Sequence, residues 1–139
     1  MVTVRLSIFL NALHSSLFYQ GPSECSVASV TNTRMNANSD PKNIGFPISS
    51  HAWVVKPDDF HSLVPIGCVG ELLIEGPIVG RGYLNDEQKT SQAFIHSIAW
   101  ANDRRFRGYL TGDLVVQNPD GSLNIVGRKD SQVVSEHTP

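Results

Sequence analysis

The chain has 139 residues, a formal net charge of -2, 40% hydrophobic residues and 17% charged residues. That length suits one domain. The near-balance of 11 basic and 13 acidic side chains excludes a basic field for nucleic acid, and apolar residues spread along the chain exclude disorder by composition. Eleven glycines and eight prolines suit a turn-rich β protein better than a helical bundle.

In residues 1–20, Arg5 precedes a moderately apolar run over 6–13, the outline of a secretory leader. Ser7, Asn11, His14, Ser15 and Ser16 dilute that run, so the expectation is a chain without a leader. No stretch has the length or purity of a membrane span. The two cysteines, Cys25 and Cys68, read as buried thiols in a reducing, cytoplasmic setting. The five histidines lack metal-ligand spacing and receive no role.

Residues 3–20 read as a strand and loop or as one irregular helix. Residues 21–43 read as loop, being rich in Ser, Thr, Asn and Asp with Pro22 and Pro41 as breakers. From residue 44 the pattern turns to strand. Residues 51–55 (HAWVV) form one, ended by a turn over 56–59, and residues 69–75 (VGELLIE) form the next. A helix is predicted over 85–96, capped by Asn85, with Asp86 and Glu87 in its first turn and Gln88 at the capping-box position. Residues 101–107 read as a charged loop. Residues 109–116 and 123–126 flank Asn118-Pro119-Asp120-Gly121, a hairpin signal because glycine accepts the positive φ of a tight turn. Short strands, many turns and one helix point to a small β-barrel or an open sheet.

Three residue types stand out as chemistry. Glu24 follows Gly21-Pro22-Ser23, and a carboxylate beside a hydroxyl suits Mg²⁺; the alternative is a loop acid satisfied by local amides. Asp113 interrupts an apolar strand after Thr111-Gly112. It is either an acceptor for two adjacent ribose hydroxyls or an acid at an edge or bulge that faces water. Arg128 lies on the return strand of the same hairpin and reads either as a phosphate or ribose contact or, with Lys129 beside it, as a surface cation. Tyr19 stands before the glycine turn, where an aromatic stacks on a base or simply packs.

Four segments, in order, resemble the motifs of adenylate-forming enzymes. Gly21-Pro22-Ser23-Glu24 resembles Y-G-P-[TS]-E. Residues 69–76 through Arg81-Gly82-Tyr83-Leu84 resemble G-E-L-x-I-x-G followed by R-G-Y. Tyr109-Leu110-Thr111-Gly112-Asp113-Leu114 resembles Y-[RK]-T-G-D-L, and residues 127–133 resemble G-R-x-D-x-Q-V. Four such motifs in register, over about residues 17–133, are specific where any one would be weak. The resemblance is to the adenylation domain of nonribosomal peptide synthetases, of fungal type.

That resemblance implies a mainly β fold with one or two helices: a distorted β-barrel subdomain plus the end of an α/β layer of the large lobe. Residues 1–43 would be the remnant of the α/β layer with the nucleotide loop, 44–133 the barrel, and 134–139 a divergent tail. It implies ATP-dependent activation of an amino or related carboxylic acid, followed by loading of the 4'-phosphopantetheine thiol of a peptidyl carrier domain. Nucleotide-binding positions would be Tyr19, Gln20, Gly21, Ser23, Glu24, Asp113 and Arg128, with Glu24 on Mg²⁺, Ser23 near the α-phosphate and Asp130 at a hinge.

Departures temper this expectation. Gln20 stands where the family's base-stacking aromatic belongs, with Tyr19 displaced by one; Phe18 replaces an Asn, and Leu110 a basic residue. These 139 residues hold no phosphate loop ending in Lys and no small lobe with its lysine. The expectation is therefore a fragment inactive by itself. Alternatives are a non-catalytic β-barrel interaction module or a truncated gene product.

Overall fold

The computed structural model describes residues 7–8, 16–20, 22–25, 29–35, 38–101 and 105–132. Ten strands form one antiparallel sheet: β1 (Ser7–Ile8), β2 (Ser16–Gln20), β3 (Val30–Met35), β4 (Asn43–Pro47), β5 (His51–Lys56), β6 (Asp59–Leu63), β7 (Val69–Glu75), β8 (Phe94–Ile95), β9 (Gly108–Gln117) and β10 (Leu123–Arg128). The spatial order is β1-β2-β3-β4-β10-β9-β7-β5-β6, and β8 adds to β9 off that path. The described strands do not close on themselves, so the open-sheet alternative holds. Helix α1 spans Glu87–Ala93, a 3-10 turn spans Ala99–Ala101, and α2 spans Lys129–Gln132.

Strand β7 lies between β9 and β5. Its residues from Gly70 to Glu75 are all buried, because apolar clusters cover both faces of the sheet. Leu72 and Ile74 join Val115, Leu123 and Ile44 in one cluster; Leu73 joins Val55, Ile95 and Phe106 in the other. Alternation along the strand sends successive side chains to opposite faces, so one seven-residue strand feeds both.

The hairpin between β9 and β10 forms as predicted. The Gly121 amide donates to the Asn118 carbonyl at 2.9 Å, and Gly121 has φ +87°. Asp120 Oδ1 accepts from the Ser122 amide at 2.9 Å and from its hydroxyl at 2.7 Å.

Other expectations are corrected. Within 21–43, read as loop, residues 30–35 form β3 between β2 and β4. Buried Val30 and Thr31 carry that strand, and ladder pairing on both sides overrides its polar composition. Beyond the predicted turn after β5, the chain returns at once as β6, which was not foreseen. The helix predicted over 85–96 is shorter. Asp86, not Asn85, caps α1: Asp86 Oδ1 accepts from the Lys89 amide at 2.9 Å, while Asn85 sits at φ +55° ahead of the helix. The amide of Lys89 rather than a Gln88 capping box therefore closes its first turn. Residues 94–95 leave the helix because pairing with β9 draws them into β8. In the loop expected over 101–107, Ala101 and Phe106 are buried core; residues 102–104 lie outside the described residues.

Candidate functional site

The site begins with a defect in the sheet. Glu71 on β7 faces Leu114 on β9, and Leu73 faces Leu110. Leu72 alone therefore opposes Thr111, Gly112 and Asp113, which bulge out of the ladder. A bulge strips backbone groups of their ladder partners, and side chains replace them here. Thr111 Oγ1 donates to the Leu72 carbonyl at 3.0 Å and accepts from the Asp113 amide at 3.1 Å. The Gly112 amide donates to Glu71 Oε1 at 3.2 Å, and Arg128 Nη1 donates to the Thr111 carbonyl at 2.8 Å.

Asp113 and Arg128 are directly opposed across β9 and β10. Arg128 Nη1 meets Asp113 Oδ1 at 3.0 Å, and Nη2 meets Asp130 Oδ2 at 3.4 Å. The Asp113 side chain is only 6% exposed, so of its two sequence readings the water-facing acid is set aside. The Arg128 side chain is 39% exposed and reaches into the open. Burial works against the Arg128 charge, but Asp113 and then Asp130 more than offset it and hold its pKa above the ordinary value.

Beside this pair, and lined by Arg128 rather than by Asp113, lies a cavity of about 420 Å³ between α1, β7, β9 and the start of α2. Tyr83, Tyr109, Thr111, Gly112, Arg128 and Asp130 are among its walls, with Lys89 and Gln92 from α1. Gly112 has φ +71°, and a Cβ there would come within 2.9 Å of Arg128 Nη2.

Glu24 reaches the same cavity through tyrosines. A turn donates the Cys25 amide to the Pro22 carbonyl, and the Gly80 amide donates to the Glu24 carbonyl at 2.8 Å. This fixes Glu24 against the segment before Tyr83. The Tyr83 hydroxyl donates to Glu24 Oε1 at 2.8 Å and lies 3.3 Å from the Tyr109 hydroxyl. Since Tyr83 spends its one proton on the carboxylate, Tyr109 is the donor between the two phenols. Ser23 Oγ donates to Glu24 Oε2 at 3.2 Å. Burial pushes the Glu24 pKa up, but the hydrogen bonds, Tyr83 foremost, carry it below the usual glutamate value. Burial, with the hydrogen bond to Tyr83 second, raises the Tyr109 phenol. Buried Cys25 is pushed up to about 12, with the Glu24 charge adding to burial; both cysteines are free, but only Cys25 is buried as expected, and Cys68 is exposed in the turn before β7.

The donor set fits Mg²⁺ in one specific way. Glu24 and Ser23 offer hard oxygens, and one carboxylate shared with nucleotide phosphates and water is a typical Mg²⁺ shell. Among the described residues no group of three or more His, Cys, Asp or Glu is gathered for a metal held by protein alone.

Glu24, Asp113, Arg128 and Asp130 are thus brought to one region. Tyr19 and Gln20 lie on β2, opposite Thr31 and Val30, and their side chains lie outside the described residues, as does Gly21. Sequence reasoning assigned no role to Tyr83, Tyr109, Glu71 or Lys129. Tyr83 stands inside a quoted motif and Glu71 inside a largely apolar strand, where an acid is itself a signal. Lys129 enters the sequence reading only as a neighbour that favours a surface-cation reading of Arg128; in the structure its Nζ pairs with Glu71 Oε2 at 2.9 Å. No helix among the described residues is long and apolar enough to cross a membrane.

Comparisons with known proteins bear on the family rather than on these contacts. Residues 4–84 match the family model described as "AMP-binding enzyme". The nonribosomal peptide synthetase fmqA of Aspergillus fumigatus is 56% identical over 117 residues, covering 81% of this chain and 3% of that protein. The nonribosomal peptide synthetase atnA of Emericella nidulans is 44% identical over 140 residues, covering 96% and 2%. The chain therefore spans only a few per cent of the length of these relatives. Among solved structures, the nonribosomal peptide synthetase FmoA3 superposes with a TM-score of 0.67 at 28% identity, over 84% of this chain and 12% of the other. An ATP-bound RpMatB–BxBclM chimera superposes with a TM-score of 0.64 at 26% identity, over 82% and 20%. With more than half of its residues matched by the family model, this chain belongs to the AMP-binding enzyme family, and its sequence is similar to segments of nonribosomal peptide synthetases.

Proposed function

We propose that this chain is the nucleotide-gripping part of an adenylation domain that activates an amino or related carboxylic acid with ATP. The observation that carries the reading is the joining of Glu24, through Tyr83, to the cavity lined by Arg128, whose guanidinium is paired with Asp113. Asp113 would accept from the ribose hydroxyls, and Arg128 would contact the nucleotide beside it. Ser23 would lie near the α-phosphate, and Glu24 would hold Mg²⁺, whose charge would offset that of the phosphates when bound. Tyr19, Gln20 and Gly21 would border the base, and Asp130 would be the hinge. In the complete domain the acyl group would pass from the adenylate to the phosphopantetheine thiol of a peptidyl carrier domain. The regions we assign are a nucleotide loop within 1–43, the subdomain read as a barrel, whose described strands stay open, over 44–133, and a divergent tail over 134–139. The setting we assign is cytoplasmic, with both cysteines reduced.

Alone, the chain is expected to be inactive. These 139 residues include no Lys-ended phosphate loop, and one missing preorganised donor already costs about 3 kcal/mol of transition-state stabilisation. Pyrophosphate exchange across the amino acids should stay at background, and clear turnover would contradict this. Calorimetry should give ATP a millimolar affinity, about -4 kcal/mol, which Asp113→Asn weakens. Absence of ATP binding, with partner capture unaffected by Asp113→Asn, would favour the non-catalytic module.

A further inference from the structure

Glu71 is a buried acid that the nucleotide reading does not use. Its residue is 4% exposed, on the buried strand β7. A carboxylate withdrawn from water needs partners, and the two it takes come from different elements. One is the Gly112 amide, at 3.2 Å, in the β9 bulge. The other is Lys129 Nζ, at 2.9 Å, at the start of α2. Lys129 is also tied to the Pro57 carbonyl, so its ammonium bridges two anchors.

The placement of these partners matters more than their number. Gly112 is the residue before Asp113, and Lys129 is the residue after Arg128. Asp113 and Arg128 are themselves directly opposed. Glu71 therefore grips the chain on the near side of both members of the pair. Without it, the bulge loses the acceptor for its middle amide, and the Arg128–Asp130 junction loses its fixed neighbour.

We infer that Glu71, through its ion pair with Lys129 and its hydrogen bond from Gly112, is a positioning residue that sets Asp113 and Arg128 at the spacing a ribose diol requires. This rests on the nucleotide reading above. Glu71 does not touch the sugar in this role; it acts through the backbone on either side of the pair. The consequence is selectivity: a displaced Asp113 loses its preference for ribose over deoxyribose before it loses affinity for the phosphates.

The test is an NMR titration of the 139-residue chain with Mg-ATP and with Mg-2'-deoxyATP, on wild type, Glu71→Gln and Lys129→Met. Wild type should favour ATP about tenfold, the value of one hydrogen bond to a charged group. Both variants should narrow that ratio to about twofold while the melting transition stays cooperative. Lys129→Met carries the test if Glu71→Gln does not fold. A wild-type ratio retained in either folded variant would overturn the inference. A merely structural loss would weaken both nucleotides alike and leave the ratio at tenfold, which also overturns it. Should wild type bind neither nucleotide, or both equally, the nucleotide reading itself fails. The positioning contact is then judged by exchange of the Gly112 amide: slow in wild type and about tenfold faster in Glu71→Ala supports it, and equal rates overturn it.

Discussion

The partners of Arg128 on β9 are set by the fold rather than by its neighbours in sequence. Its guanidinium spans the Thr111 carbonyl, Asp113 and Asp130. All of these lie across the Gly112 turn or within two residues of Arg128 itself. Gly112→Ala puts a side chain on a left-handed backbone and a Cβ within 2.9 Å of Arg128 Nη2. It should cost about 1–2 kcal/mol, read as a lower midpoint in urea, and should abolish the shift of Asp113 on adding ATP. A second residue-scale expectation concerns acid. The two bonds from Ser122 hold the Asp120 carboxyl below the ordinary aspartate value. Its contribution to stability is thus full above that ordinary value and is lost as pH falls through the depressed one. Melting followed from pH 6 down to about pH 3 should show Asp120→Ala less stable than wild type at the upper end, with the gap closing towards the lower. A gap constant with pH would contradict this.

At the scale of elements, legibility followed how local the cause was. The β9–β10 hairpin was readable because Asp-Gly and its flanking apolar runs lie within a dozen residues. So was β7, whose seven residues are apolar except at Glu71, Gly70 and Glu75. Strand β3 (VTNTRM) was not readable. Its polar residues resemble loop, and it is a strand because β2 and β4 pair with it from both sides. The helix was readable but not its bounds, since Asp86 outcompetes Asn85 as cap and β9 captures residues 94–95. The same logic divides the site. Asp113 and Arg128 share one hairpin, so their pairing could be anticipated. Glu71 and Lys129 are 58 positions apart, and no local pattern joins them. Asp86→Ala should remove the cap of α1 at a cost of about 1 kcal/mol and loosen the Lys89 amide in hydrogen exchange. Unchanged exchange at Lys89 would mean the cap is not Asp86.

Across the whole molecule, the sheet's order explains why residues so far apart in sequence share one cavity. Strands β7, β9 and β10 are consecutive neighbours, so the acidic strand, the bulge and the arginine strand lie side by side. The Glu24 turn is brought in from outside by the Gly80 amide and the Tyr83 hydroxyl. Segments of all four motifs thus meet in one region, with Tyr83, Gly112, Arg128 and Asp130 on the cavity wall and Glu24 and Asp113 bonded to groups that line it. The most direct test is the map of amide shifts when Mg-ATP is added to the ¹⁵N-labelled chain. The account predicts shifts at Glu24, Tyr83, Gly112, Asp113 and Arg128 together, which Asp113→Asn suppresses. Shifts confined to another surface, or Glu24 unmoved while Asp113 responds, would contradict it.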